Sequence, residues 1–149
     1  NNTVSGSVRD NLLEEKLFGL NEFETYLAFA QRVEKSKQSL VNLLQKIKVS
    51  GKKVMSIGAT AKSTTVFNYC NIGTDLIDVI TDTTIDKQGK FSPGVHIPIM
   101  SREDIDILDY DYVYLGAWNF RTEIMNKETD YLSRGGKFIT HVPQVMMFS

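Results

Sequence analysis

The first third of the chain carries apolar residues at the spacing of a single helix face. Between residues 22 and 48 these positions follow the period expected when one side of an α-helix is buried, at Phe23, Tyr26, Leu27, Ala30, Val33, Leu40, Val41, Leu44 and Ile47. Asn21 suits an amino-terminal cap and Gly51 a stop, so the pattern predicts a helix over about residues 22–48. At ~1.5 Å per residue this helix is roughly 40 Å long. That length leaves two interpretations open: an arm that docks on a neighbouring domain, or a helix packed on the sheet of its own domain.

A weaker helical pattern precedes this helix. Residues 1–20 have short helical potential between Gly6 and Gly19, and we interpret them as a leading segment before a domain that spans residues 21–149. The chain begins with Asn1 rather than with methionine. We therefore expect it to be a piece of a longer protein.

After Gly51 the rhythm changes to short apolar runs separated by helical segments. The runs predict strands at residues 53–58, 76–82, 112–117 and 137–142, and residues 96–99 are compatible with a further short strand. The intervening segments predict helices at residues 63–73 and 119–136. Strands that alternate with helices and are apolar on both faces form a mainly parallel sheet with helical cover and right-handed crossovers. The predicted fold class is α/β, a Rossmann-like three-layer sandwich with a mainly parallel sheet, preceded by a long amino-terminal helix.

Composition and charge exclude several classes of function. The 17 basic residues are balanced by 18 acidic ones, so no large positive field is available to hold nucleic acid. No apolar run approaches the ~20 residues that span a bilayer, and no signal-peptide pattern is present, so we expect no membrane partner and a cytoplasmic location. Cys70 is the sole cysteine, and only His96 and His141 accompany it. We therefore expect no metal site in this chain.

Four features of the sequence fall where a ligand would bind. In an open parallel sheet, ligands occupy the crevice at the carboxyl ends of the strands. The features predicted at that edge are the turn at residues 58–65, Asp82, the irregular loop at residues 83–98, and the pair Trp118 and Asn119. Long irregular loops often bind ligands, although a plain surface connection remains the alternative for residues 83–98.

The turn at residues 58–65 has the chemistry of an anion site. Gly58 ends the first strand, and the small Ala59 and Ala61 allow close approach to a helix that starts with free N–H groups and a positive dipole end. Lys62 adds a charge, and hydroxyl donors follow it at Ser63, Thr64 and Thr65. Together they predict a cradle for a phosphate or diphosphate. The alternative makes the hydroxyls helix caps and leaves Lys62 solvated.

Familiar nucleotide motifs do not fit this turn. A P-loop needs a second glycine directly before the lysine, and Lys62 has none, which argues against ATP hydrolysis. A dinucleotide fingerprint needs three glycines, of which only Gly58 is present, although Asp82 lies about where a ribose-binding acid is expected. A glycine-rich methyl-donor loop is also absent. Two residues each have two possible interpretations. His96 contacts a ligand or is a structural residue, and Trp118 stacks on a ligand or packs in the core. His141, at the end of the last strand, is interpreted as packing or edge decoration.

Four separated blocks of sequence carry a family resemblance. The stretches "GATAKSTTVFNYCNI", "DKQGKFSPGVHIPI", "WNFRTEI" and "GGKFITHVP" resemble the carboxyl-terminal domain of the sugar C-methyltransferases. These are S-adenosylmethionine-dependent enzymes that methylate a carbon of nucleotide-linked deoxysugars. The resemblance runs in order over about residues 22–143.

The resemblance implies a division of labour within a longer protein. It implies an upstream zinc-binding region rich in cysteine, a middle domain that binds S-adenosylmethionine and carries the catalytic Tyr, His, Glu and His residues, and then this domain. The chain matches only the last of these. The expectation is therefore no catalytic residue and no cofactor in this chain, with a nucleotide-linked sugar, dTDP-linked by the resemblance, and the upstream domains as its partners.

The resemblance also implies roles for individual residues. The diphosphate would be held by Lys62, Ser63 and Thr64, with Asn68 and Tyr69 supporting that turn. The nucleotide or sugar would be bordered by Lys87, Phe91, His96 and Trp118. The full predicted substrate-binding set is Gly58, Ala59, Thr60, Lys62, Ser63, Thr64, Asn68, Asp82, Lys87, Phe91, His96, Trp118 and Asn119.

Two departures and two alternatives accompany this hypothesis. Ser63 stands where glycine commonly follows the motif lysine, and "TDTTIDKQ" differs from the Asp-Arg/Asn-Asn-Pro pattern expected after the second strand. The first alternative is a non-catalytic Rossmann module that holds NAD or a CoA ester, suggested by Gly58 and Asp82. The second is a structural domain that packs through the long helix.

Overall fold

The computed structural model of this chain describes residues 5–149, and the strands after Gly51 form one seven-stranded sheet. The strands are β1 (Val54–Ile57), β2 (Val79–Thr81), β3 (Lys90–Phe91), β4 (Pro98–Met100), β5 (Tyr112–Leu115), β6 (Lys137–Thr140) and β7 (Met146–Phe148). Their order across the sheet is β3-β4-β2-β1-β5-β6-β7. The inner strands β4, β2, β1, β5 and β6 are parallel, and β3 and β7 run antiparallel at the two edges.

The described helices confirm the long amino-terminal helix. They are α1 (Gly6–Phe18), α2 (Phe23–Val49), α3 (Ala61–Cys70), α4 (Arg121–Lys127) and α5 (Thr129–Ser133). The predicted helix over residues 22–48 corresponds to α2. None of the helices within residues 5–149 is long and apolar enough to cross a membrane.

The chain divides into two compact units, residues 1–35 and residues 36–149. The boundary between these units falls inside α2, and the division into a leading segment at residues 1–20 and a domain at residues 21–149 stays a prediction. The buried residues of α2 explain the position, since Leu40, Leu44 and Ile47 all belong to the second unit. In the first unit, α1 has no buried residue and ends at Gly19, whose φ is 81°. Residues 1–4 of the predicted leading segment lie outside the described residues.

Helices cover both faces of the sheet in the second unit. Adjacent residues of a strand point to opposite faces of the sheet, and Tyr114 and Val113 of β5 belong to different core clusters. Tyr114 packs with Leu44 and Phe67. Val113 packs with Tyr131 and Phe138. The first cluster lies under α2 and α3, and the second under α4 and α5. The Rossmann-like three-layer α/β sandwich is therefore confirmed.

The sheet has a reversal of strand order between β1 and β5. From β1 the chain crosses through α3 to β2 on one side, and from β5 it crosses through α4 and α5 to β6 on the other. A reversal of this kind opens a crevice at the carboxyl ends of the two central strands. The turns after β1 and β5 form its edges.

The helix predicted at residues 119–136 is broken into shorter pieces. A 3₁₀ turn at Trp118–Phe120 precedes α4, and Glu128, with φ −108° and ψ 39°, separates α4 from α5. Strand β7 was not predicted, because three residues after a proline-containing turn carry too little alternation to be recognised.

The loop at residues 83–98 was only half correctly placed. It begins at the carboxyl edge with a 3₁₀ turn at Ile85–Lys87, but β3 then runs antiparallel to β4 and carries the chain to the opposite edge. Residues 92–97 turn there before β4 returns toward the carboxyl edge. The expectation that the whole loop follows the carboxyl edge is therefore wrong for its second half, while the short strand expected near residues 96–99 is confirmed as β4.

Candidate functional site

The turn after β1 depends on a glycine at position 58. Gly58 has a φ of 97°, and its N–H donates to the Thr81 carbonyl at 2.8 Å. A Cβ at this position would lie 2.8 Å from the Cβ of Ala117, closer than carbon atoms approach. The missing side chain therefore lets the turn after β1 lie directly against the turn after β5, at the reversal of strand order.

The hydroxyls of Thr60 and Ser63 form a capping box at the start of α3. The Thr60 Oγ1 accepts from the Ser63 N–H at 3.0 Å, and the Ser63 Oγ accepts from the Thr60 N–H at 3.0 Å. The Ser63 side chain also donates toward the Gly58 carbonyl at 3.1 Å, and Ser63 is only 1% exposed. These hydroxyls therefore hold the turn in shape, as the capping interpretation expected. The Thr65 hydroxyl donates to the Ala61 carbonyl within the helix.

Two backbone donors and one ammonium group remain at the start of α3. Within residues 5–149, the N–H groups of Ala61 and Lys62 have no acceptor. The Lys62 ammonium lies 3.5 Å from the Asn119 Oδ1 and 5.5 Å from the centroid of the Trp118 ring. The structure thus brings together Lys62, Trp118 and Asn119, which the sequence had placed at one edge. Thr64 is half-buried in the same turn.

Trp118 is the outermost of four rings that contact one another in series from the surface into the core. Its ring meets His141 edge-on at 4.8 Å between centroids. The His141 Nδ1 lies 2.7 Å from the hydroxyl of Tyr114, whose ring packs against Phe67 at 5.2 Å. Desolvation lowers the pKa of His141, so its imidazole is neutral at pH 7. Burial raises the pKa of the Tyr114 hydroxyl.

Asp82 ties the turns after β1 and β2 together. One carboxylate oxygen accepts from the Ala59 N–H at 2.8 Å and from the Lys87 ammonium at 3.1 Å. The other accepts from the Thr84 N–H at 2.8 Å. Burial alone would raise the pKa of Asp82, but the donors of Thr84, Lys87 and Ala59 outweigh it and hold the pKa below its usual value. Asp82 is therefore an ionised carboxylate whose oxygens already have three donors.

A cleft of about 420 Å³ opens beside these turns. It lies over the carboxyl ends of β1 and β2 and is closed on one side by α4. Predicted residues that line it are Gly58, Thr60, Asp82 and Lys87, and residues that the sequence did not suggest are Arg102, Phe120, Lys127 and Glu128. The cleft reaches the turn before α3 through Gly58 and Thr60 and holds both apolar and charged side chains, while Lys62, Trp118 and Asn119 are not among its lining residues.

Residues 1–143 match the family of C-methyltransferase C-terminal domains. The chain belongs to this family. It is also 36% identical over 146 residues to the C-methyltransferase NovU from Streptomyces niveus, an alignment that covers 98% of this chain and 35% of the relative. The resemblance inferred from the sequence is therefore confirmed: this is the C-terminal domain of a C-methyltransferase similar to NovU, and it spans about a third of that relative's length.

An unpredicted ion pair fixes one wall of the cleft in this C-terminal domain. The Arg102 Nη2 lies 2.9 Å from both carboxylate oxygens of Glu128, and the Arg102 Nη1 donates to the Ile105 carbonyl at 2.7 Å. Arg102 follows β4, and Glu128 lies at the break between α4 and α5. The pair therefore fastens the α4–α5 junction to the end of β4. The only sequence signal for it was the short strand expected near residues 96–99, whose carboxyl end places Arg102 at this edge.

Three predicted residues, Asn68, His96 and Phe91, lie away from the carboxyl edge of the sheet. The Asn68 Nδ2 donates to the Pro93 carbonyl at 2.9 Å and to the Thr64 carbonyl at 2.8 Å. Asn68 therefore supports the turn at residues 92–95 rather than the Gly58 turn, because α3 runs from the carboxyl edge to the opposite one. His96 is exposed in that same distant turn, and Phe91 is exposed on edge strand β3. Tyr69, predicted to support the Gly58 turn, instead lies under the ammonium of Lys37 at 4.7 Å.

The described residues do not form a site for the cofactors that the family implies. Within residues 5–149, no three His, Cys, Asp or Glu side chains converge in a way that could hold a metal ion. The turn after β1 has no glycine-rich loop for S-adenosylmethionine, and the carboxylate that could hold a ribose, Asp82, already accepts from Ala59, Thr84 and Lys87. The part of the chain that the structure describes thus offers no zinc ligand set, and the Asp82 carboxylate is largely occupied.

Proposed function

We propose that this domain holds the nucleotide-linked sugar substrate of a C-methyltransferase, with the diphosphate at the start of α3. The proposal rests on the start of α3 at the reversal of strand order, where the Ala61 and Lys62 N–H groups have no acceptor among the described residues and Lys62 supplies an ammonium group. Backbone donors at a helix start bind phosphate oxygens, and an ammonium group strengthens the binding through charge. The expected ligand is a dTDP-linked deoxysugar, in keeping with the family resemblance.

The surrounding residues supply shape and orientation. Thr60 and Ser63 hold the turn through the capping box, while Thr64 adds a hydroxyl beside it. Trp118, half-buried next to Lys62, offers a ring on which a base or sugar can stack. Asp82 contributes by fixing the loops, since its donors come from the turns after β1 and β2.

The contribution of this domain to catalysis is positioning. Bound S-adenosylmethionine supplies the methyl group, and we assign its site, the zinc site and the proton-removing base to other parts of a longer protein. The chain's own residues hold the substrate so that its reacting carbon faces the donor, which removes much of the entropic cost of bringing two reactants together. The isolated domain should therefore bind substrate without methylating it.

The alternative of an NAD-binding module is less well supported. Its main motivation was Asp82 as a ribose ligand, yet that carboxylate already accepts from the Ala59 N–H, the Thr84 N–H and the Lys87 ammonium. Three of the roughly four acceptor positions of the carboxylate are therefore occupied, which leaves room for one ribose hydroxyl but not for two. If the domain is purely structural, no ligand binds at Lys62. Binding measurements test this alternative.

Titration calorimetry of the chain with dTDP-glucose, dTDP and NAD distinguishes these functions. We expect dTDP-glucose and dTDP to bind and Lys62→Ala to weaken both by about 10- to 100-fold, because a lost charge-assisted hydrogen bond costs about 1.5–3 kcal/mol. Lys46→Ala is the matched control, since Lys46 is exposed in the last turn of α2, which leads to the amino end of β1. Tighter binding of NAD would favour the dinucleotide module, and equal affinities for wild type and Lys62→Ala would favour the structural domain.

A further inference from the structure

The hydrogen bond between Tyr114 and His141 determines which imidazole nitrogen carries the proton. Tyr114 is 0% exposed, and its hydroxyl lies 2.7 Å from the His141 Nδ1. Within residues 5–149 the hydroxyl has no other acceptor, and a buried O–H group without an acceptor is costly. The Tyr114 hydroxyl therefore donates and the His141 Nδ1 accepts. In a neutral imidazole the proton then resides on Nε2.

The geometry directs that Nε2–H away from the core. The Tyr114 and His141 rings are within 17° of parallel with centroids 5.8 Å apart, and the hydroxyl occupies the Nδ1 side of the imidazole. Nε2 is then on the side of the ring far from the buried hydroxyl. His141 follows the carboxyl end of β6 and is half-buried. Among the described residues no acceptor contacts Nε2.

The neighbours of His141 are residues of the proposed binding site. The His141 and Trp118 rings are nearly perpendicular with centroids 4.8 Å apart, and the Lys62 ammonium lies 5.5 Å from the centroid of the same Trp118 ring. Desolvation keeps the imidazole neutral by lowering its pKa. The neutral imidazole of His141 and the ammonium group that would hold the diphosphate thus contact the same Trp118 ring.

We infer that His141 is a substrate-binding residue whose Nε2–H donates to a hydroxyl or carbonyl oxygen of the sugar, with Tyr114 fixing the required tautomer. This inference rests on the proposed function, because it takes the diphosphate to be held beside Lys62. A single fixed donor selects for an acceptor oxygen on the sugar next to the diphosphate. His141 contributes to recognition of the sugar, whereas Lys62 contributes to recognition of the diphosphate.

Nitrogen-detected NMR of the ¹⁵N-histidine-labelled chain tests the tautomer and the contact together. We expect His141 to be protonated at Nε2 in the free chain, and its Nε2–H resonance to move with dTDP-glucose much more than with dTDP. The exposed His96 provides an internal control in the same spectrum. Protonation of His141 at Nδ1 in the free chain would overturn the inference.

Matched variants test the same contact through affinity. Replacing both partners, Tyr114→Phe with His141→Phe, removes the donor without leaving an unpaired hydroxyl. This double variant should bind dTDP-glucose about three- to tenfold more weakly and dTDP as wild type, as expected for one lost neutral hydrogen bond. His141→Gln retains an N–H donor and should recover most of the affinity.

The outcomes separate this inference from the proposed function. Equal affinity of wild type and the double variant for dTDP-glucose would overturn the role of His141 and leave the proposed function standing. Failure of the wild-type chain to bind either dTDP or dTDP-glucose would overturn both. Thermal unfolding of each variant verifies that the binding measurements are made on folded protein.

Discussion

The ammonium group of Lys62 lies 5.5 Å from the centroid of the Trp118 ring. Lys62 is in the first turn of α3, and Trp118 begins the 3₁₀ turn after β5. The contact joins the two turns that flank the reversal of strand order. The lysine ammonium therefore lies at the turn after β5, on the side chains of Trp118 and Asn119.

Removing the Trp118 ring should weaken binding without abolishing it. A cation–π contact at an exposed site contributes about 0.5–1 kcal/mol, so Trp118→Leu should lower the affinity for dTDP-glucose by about two- to fivefold. Trp118→Phe retains an aromatic face and should lie between Trp118→Leu and wild type. Calorimetric titration measures all three, and an unchanged Kd for Trp118→Leu would contradict the assigned contact.

Gly58 should tolerate alanine less well than another glycine of similar backbone conformation. Gly58 and Gly89 have φ values of 97° and 73°, but a Cβ at Gly58 would lie 2.8 Å from the Ala117 Cβ, while one at Gly89 meets nothing within 4 Å. Both substitutions carry backbone strain of about 1–2 kcal/mol. Gly58→Ala adds an overpacking cost of about 1–3 kcal/mol. Urea unfolding should therefore show the larger loss for Gly58→Ala, and equal losses would show that the close approach to Ala117 is unimportant.

The stabilisation due to Asp82 should depend on pH. Its folded-state pKa is lowered, so its contribution is fully present above the unfolded pKa of about 3.9 and is lost as the pH falls through the folded value. Asp82→Asn should cost about 1.5–3 kcal/mol near pH 7, because hydrogen bonds to a charged acceptor are lost. The free-energy difference between wild type and Asp82→Asn should shrink below about pH 4. A difference that stays constant from pH 7 to pH 3 would contradict this role.

Ser56 and Ser63 should respond in opposite ways to alanine. The Ser56 Oγ is buried, and within residues 5–149 it has no hydrogen-bond partner. Ser56→Ala removes an unsatisfied hydroxyl and should leave the free energy of unfolding unchanged or raise it by up to about 1 kcal/mol. Ser63→Ala leaves the Thr60 N–H without its acceptor and should cost about 1–2 kcal/mol. A larger loss for Ser56→Ala than for Ser63→Ala would show that these two serines have been assigned the wrong roles.

Much of the sheet could be predicted because buried strands are short apolar runs. β1, β2, β5 and β6 were all recognised in this way, and α2 was recognised from its helical period. β3 left no signal, since Lys90 and Phe91 are only two residues and both are exposed. The return of the chain to the opposite edge depends on the positive φ values of Gly89 and Gly94, 73° and 82°, and glycine in the sequence does not reveal its φ.

The site was predictable where it follows directly from strand ends. Gly58, Asp82 and Trp118 each come soon after a strand, so their shared edge could be inferred. Arg102 and Glu128 are 26 positions apart in the sequence. Their pairing depends on the break between α4 and α5, and no local sequence pattern predicts that break. The contact of Tyr114 with His141 did have a signal. Tyr114 pairs with Ile139 in parallel register, and His141 lies two residues beyond on the same face.

The most direct test of the proposed site is a crystal structure of the chain with dTDP-glucose bound, in which the position of the diphosphate is measured. We expect phosphate oxygens within ~3 Å of the Ala61 and Lys62 N–H nitrogens, with the Lys62 ammonium in contact and the sugar beside His141. A diphosphate at the opposite edge of the sheet, for example in the cavity of about 360 Å³ lined by Lys52 and Lys137, with Lys62 in solvent, would contradict it.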